Sequence, residues 1–100
     1  MAASEIAIII EYEVGEANRA VFLQRLQENC AATLKDDGCL RMEVSLPDGG
    51  DGGIVWLSER WRDQASIESH RKQPGHDSQH QRIDELVERK RVMRGAVVFG

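Results

Sequence analysis

The chain has 100 residues, of which 41% are hydrophobic and 30% charged, with a formal net charge of −4. That length suits one domain with a modest core, spanning 1–100, and excludes two comfortable domains. The acidic balance, with no basic stripe interleaved with aromatics, excludes the electrostatic footprint of a nucleic-acid partner.

Met1-Ala2-Ala3-Ser4-Glu5 carries no cation, and the apolar run that follows, Ile6 to Ile10, is far too short to cross a bilayer. Neither a signal peptide nor a membrane partner is expected. Ile6 to Ile10, extended by Glu11-Tyr12-Glu13-Val14, is β-branched and apolar on both parities, as in a strand covered on both faces. Residues 17–35 switch to helical period, with Leu23, Leu26, Cys30 and Leu34 on one stripe beside Phe22. Asn18 serves as a cap and Gly38 as a stop.

From Cys39 the pattern alternates: Leu40, Met42, Val44 and Leu46 on one parity, Arg41, Glu43 and Ser45 on the other. This fits an edge strand. The Pro47–Gly53 stretch is a loop, and Ile54 to Trp61 the next strand, so the two form a hairpin. The DGGDGG glycines match no phosphate-binding pattern, and a strand rather than a helix follows them. Asp63 caps a short helix from Gln64 to about Lys72, which Pro74-Gly75 breaks. A second helix runs from about Asp77 to Lys90, closed by the Arg89-Lys90-Arg91 cations, and Val92 to Phe99 form a last strand. Cys30 and Cys39 fall on different elements without metal-ligand spacing and read as reduced thiols of a cytoplasmic protein.

The order β-α-β-β-α-α-β predicts an α+β fold, a ferredoxin-like four-stranded antiparallel sheet with helices on one face. The first and third strands are apolar on both sides, and no helix remains for the second face. A partner's sheet is the economical cover, so a homodimer is expected.

His76, His80, Ile83 and Val87 lie at i, i+4, i+7 and i+11, one helical stripe, so both imidazoles face inward or line the rim of a cavity. His70, one helix earlier, can converge on the same space. Such imidazoles either handle protons and touch a ligand or are ordinary rim residues. No Cys or carboxylate joins them at metal-ligand spacing, so no metal is expected. Trp56 and Trp61 lie on opposite parities, one toward the helices and one toward the partner. Trp61 would wall a pocket for a flat apolar ligand, or simply pack. Glu59 shares its parity and is either a buried base or a partner for Arg41 or Arg94. Tyr12 either donates a hydrogen bond to a ligand oxygen or packs at the interface. No nucleophile elbow is present.

Gly38-Cys39-Leu40-Arg41-Met42-Glu43-Val44, Glu59 through His70, and Gln73-Pro74-Gly75-His76 together resemble the antibiotic biosynthesis monooxygenase family. The resemblance implies a homodimer that closes two facing sheets into a dimeric α/β barrel, with a cavity between each sheet and its helices. It also implies a cofactor-independent monooxygenase that oxidises a quinol-, anthrone- or polyketide-like aromatic with molecular oxygen. Trp61 would then be a cavity wall and His70 and His76 the proton-handling groups; Tyr12, His80 and Glu59 are further substrate-contact candidates from the residue pattern alone. The chain departs from the pattern at Gly75, which displaces His76 by one position. A second branch, the haem-degrading monooxygenases, is matched by His80 near the iron-ligating position, but His70 stands where that branch has a tryptophan. A non-catalytic dimeric module that binds a small molecule is the remaining alternative, since fold does not fix function.

Overall fold

In the computed structural model, which describes residues 4–49 and 52–100, the β-branched N-terminal run forms β1 (Ile6–Glu13). The elements that follow are α1 (Glu16–Thr33), β2 (Cys39–Ser45), β3 (Ile54–Trp61), α2 (Gln64–Arg71), α3 (His76–Asp84) and β4 (Arg89–Ala96). The expected α+β order is therefore present. Met1–Ala3 and the Gly50-Asp51 part of the glycine-rich loop lie outside the described residues.

The sheet order is β2-β3-β1-β4, every pair antiparallel, so the two strands that are apolar on both parities are the central ones. Ile8, Ile10 and Tyr12 of β1 share a face with Val55, Leu57 and Trp61 of β3, and that face is buried. Phe22, Leu26 and Cys30 of α1 cover it, joined by Ile67 of α2 and Ile83 of α3. Full burial of an apolar side chain such as Phe22 or Leu26 stabilises by about 1.5–3 kcal/mol. The opposite face carries Ile9, Trp56 and Met93, all exposed in the single chain.

Four expectations are corrected. Gly15, in extended conformation, precedes α1 in place of Asn18, and Asn18 instead donates its N–H to the Gly15 carbonyl. The α1 stripe ends on Thr33, whereas Leu34 is exposed beyond the helix. A register shift between Cys39 and Arg41 inserts Leu40 as an extra residue, taking it off the inward parity of Met42 and Val44, while Leu46 lies past the strand end. Most consequentially, α3 stops at Asp84, and Arg89-Lys90-Arg91 open β4 instead of closing a helix. Backbone pairing explains that shift. The eight residues of β1 need a partner along their whole length, and Glu13 pairs with Arg89 while Ile6 pairs with Ala96. Glu88 N–H donates to Glu13 O, which starts the ladder before a longer helix could form.

The entry to α2 is fixed by a local network. Asp63 accepts from the Ser66 N–H and hydroxyl at 2.8 and 2.6 Å. Arg62 pairs in two-pronged fashion with Asp37 at 3.0 and 3.1 Å, tying the α1–β2 turn to this helix start. Gly38, in that turn, has φ +87°, and a Cβ there would lie 2.0 Å from Ser66 Oγ. Gly75, before α3, has a similar φ of +86° but open space around it. Both positions carry the left-handed penalty of about 1–2 kcal/mol for a non-glycine residue. Only Gly38 adds a clash. Gly75→Ala should lower Tm by several degrees, and Gly38→Ala by clearly more, as read by thermal unfolding followed by circular dichroism. Equal shifts would show that the turn is not packed as described.

Candidate functional site

Between the sheet and the two short helices lies a partly open cavity of about 250 Å³. Its apolar floor comes from Ile8 and Ile10 of β1, Met42 of β2 and Trp61 of β3, with Ile67 of α2. Trp61 is placed there by strand parity: it pairs with Ile6 on β1 and Cys39 on β2, and its indole is almost wholly buried. Trp56, on the other parity, points to the opposite face and donates to Glu11 at 3.0 Å.

One wall is aromatic and polar. His70 stands in the last turn of α2, the Pro74-Gly75 break turns the chain, and His76 and His80 occupy successive turns of α3. The rings form a row: Trp61 to His70 at 5.2 Å between centroids, His70 to His76 at 4.9 Å, and His76 to His80 at 4.1 Å. The helical stripe expected from spacing thus converges with His70 on the cavity.

His70 Nδ1 lies 2.5 Å from Asp36 Oδ2, and the two side chains are only 14% and 15% exposed. Gln73 Nε2 donates to the other Asp36 oxygen at 2.9 Å. The Asp36 carboxyl thus fixes the orientation of the His70 ring through Nδ1, and Nε2 has no partner among the described residues. His76 Nδ1 has a looser partner, Asp77 at 3.0 Å, whose own side chain is fully exposed. Burial, helped by the neighbouring His76 and Lys90, pushes the His80 imidazole down to about 4, so it is neutral at physiological pH.

Glu59 lines the cavity and accepts from Trp61 Nε1 at 2.8 Å. No arginine pairs with it among the described residues; Arg41 binds Glu43 and Arg94 binds Gln64. Burial raises its pKa, opposed by the indole hydrogen bond and the charge of nearby His70. Three cations, Arg71, Lys90 and Arg94, complete the lining. Lys90 is shared with Asp84 at 3.3 Å.

Tyr12 is not in the lining. It is buried beside Phe22, edge to face at 5.0 Å, and burial raises its phenol pKa. Of the six expected site residues, five border one space and Tyr12 belongs to the core. Asp36 and the cavity cations were missed. Asp36 is 34 residues from its partner His70, so no local pattern links them, and Lys90 was assigned to a helix end.

Glu59 generates a prediction about stability. A carboxyl whose folded pKa is raised favours the folded state only while protonated, so its contribution is lost as pH rises from the ordinary glutamate value, about 4.3, through the raised one. Glu59→Gln should therefore raise Tm at pH 7, and the gain should vanish as the pH falls below about 4.3. A pH-independent difference would show that the carboxylate is not held in a poorly solvated setting.

Comparison with known proteins places this arrangement. No curated protein matches the chain. Solved structures share the fold. A conserved protein of unknown function from Bacteroides thetaiotaomicron, described as a possible oxidoreductase, superposes with a TM-score of 0.87 at 22% identity, covering 96% of this chain and 100% of that one. Rv0793 from Mycobacterium tuberculosis gives 0.85 at 24% identity over 97% and 98%. A structure described as an antibiotic biosynthesis monooxygenase gives 0.80 at 18% identity over 93% and 98%. Sequence supplies the family: the model for antibiotic biosynthesis monooxygenases matches residues 5–82, from the start of β1 through His80 on α3, and the chain belongs to that family.

Proposed function

We propose that the protein is a monooxygenase that oxidises an ionisable aromatic, of quinol, anthrone or polyketide type, with molecular oxygen and without metal or flavin. The observation that carries this reading is the His70–Asp36 pair, 2.5 Å apart, on the wall of an apolar cavity closed by Trp61. Family membership supports it.

His70 takes a proton from a phenol or activated carbon through Nε2, and Asp36 stabilises the imidazolium that forms. His76, adjacent in the ring row, passes the proton outward. Arg94 and Lys90 favour the resulting substrate anion, in a cavity where charges are screened less than in water. The anion gives an electron to oxygen, and recombination yields a peroxide. For an anthrone-type methylene the balance is CH2 plus O2 giving C=O plus H2O. One oxygen atom enters the product and the other leaves as water. The ring wall and apolar floor shield the intermediates from solvent.

A haem macrocycle fits this space poorly, because the cavity is about 250 Å³ and the His80 ring lies against His76. With metal-free, flavin-free protein and a panel of hydroquinones and anthrones, oxygen uptake should exceed autoxidation. His70→Ala should lower the enzymatic rate by about 10²–10⁴-fold, and His76→Ala should lower it less. Uptake unchanged in His70→Ala would overturn the assignment. Ligand-induced thermal stabilisation without turnover on any substrate would point instead to a binding module.

The functional unit in this reading is a homodimer. Ile9, Trp56 and Met93 are exposed on the sheet face away from the helices, and Val98 and Phe99 beyond β4 are each 96% exposed. A partner's equivalent face is the cover that buries them. Sedimentation should give a dimer for the wild type and a monomer for Trp56→Glu; a wild-type monomer at micromolar concentration would remove the dimer from the proposal.

A further inference from the structure

We infer that His70, His76 and His80 form a binding site for one divalent late first-row metal ion, with Zn²⁺ the best match. One ring nitrogen of each histidine lies within 4.8 Å of the corresponding atoms of the other two. Two of the three come from consecutive turns of one helix, His76 and His80 at i and i+4, a spacing that puts both imidazoles on one face. The third enters from α2 across the Pro74-Gly75 break. Nitrogens bound at about 2.0–2.1 Å to a tetrahedral zinc sit about 3.4 Å apart. Modest side-chain rotation closes the remaining distance.

The surroundings are those of a ligand set already oriented. Metal-bound histidines commonly donate their other ring N–H to a carboxylate, which fixes the tautomer and raises basicity. Asp36 stands in that position on His70 Nδ1 at 2.5 Å and Asp77 on His76 Nδ1 at 3.0 Å, leaving the Nε2 atoms free. Three imidazole ligands without thiolate or carboxylate suit zinc, nickel or copper over magnesium or calcium. The three histidines line the cavity together with Arg71, Lys90 and Arg94, whose charges oppose a bare dication and favour an anionic oxygen as its last ligand.

The inference rests on this geometry alone and not on the oxygenase reading, whose proton relay uses the same imidazoles. Metal occupancy and proton transfer at His70 are therefore mutually exclusive states of one site. The test is calorimetric titration of tag-free, chelator-stripped protein with Zn²⁺, with no substrate present, paired with the visible spectrum of the Co²⁺ form. One ion per chain and a tetrahedral Co²⁺ spectrum are expected. His80→Gln should weaken binding by at least about 100-fold and Asp36→Asn by about 10–100-fold. The absence of a saturable site, an octahedral Co²⁺ spectrum in the wild type, or an unchanged Kd in both variants would each overturn the assignment. The wild-type spectrum decides the matter even if a variant fails to fold. Because oxygen uptake is not measured, a negative result leaves the oxygenase reading untouched, and a positive one does not establish it.

Discussion

A four-stranded sheet has to bury one face, and this chain has one long helix and two short ones to do it. The 18 residues of α1 lie over one part of that face, while α2 and α3, of 8 and 9 residues, cover the rest incompletely. What they leave is the cavity. Its floor is sheet and its wall is the adjoining ends of the two short helices. The break at Pro74-Gly75 thus shapes the site as much as any side chain, since a continuous helix could not bring residues 70 and 76 to adjoining positions on one wall. Gly75, with its left-handed backbone, makes the turn, and His76 follows it directly.

Electrostatics then divides the space. Imidazoles line one side, a poorly solvated glutamate held by an indole N–H lies on the floor, and three cations stand on the remaining lining. Glu59, Lys90 and Arg94 each have a hydrogen-bond partner, in Trp61, Asp84 and Gln64 respectively. Asp36 is the group on which the arrangement turns. It comes from the turn after α1, outside the cavity lining, yet it orients the His70 ring and, through Gln73, the start of the break. A side chain in the turn after the long helix therefore orients the chemistry of the short ones.

Much of this was legible in residues and spacing. Two-sided apolarity put β1 and β3 at the centre, alternation put β2 at an edge, and Asp63 announced α2, because each signal depends only on neighbours within a few positions. The histidine stripe placed His76 and His80 inward for the same reason, and parity separated Trp56 from Trp61. What was hidden depends on long-range pairing. Lys90 reached the cavity only because β1 draws residues 89–96 into its ladder, whereas the local pattern of Arg89-Lys90-Arg91 after an amphipathic stretch reads as a helix end. Tyr12, expected at a ligand or at the interface, shares its strand face with Ile8 and Ile10 but lies farther along the strand under Phe22, a neighbour that only the packing of α1 supplies. Asp36 offered no local sign at all.

The same ladder has a consequence for how the chain behaves among other chains. β4 is an edge strand, exposed along its whole length, and an open row of backbone donors and acceptors invites edge-to-edge pairing and fibrous aggregation. Arg89, Lys90, Arg91 and Arg94 stud that strand on both parities, so a second copy approaching in register would bring like charges together. The cations that face the cavity thus also act as gatekeepers of solubility. A natural or engineered change that neutralised them to suit a different ligand would remove a guard against self-association at the same time.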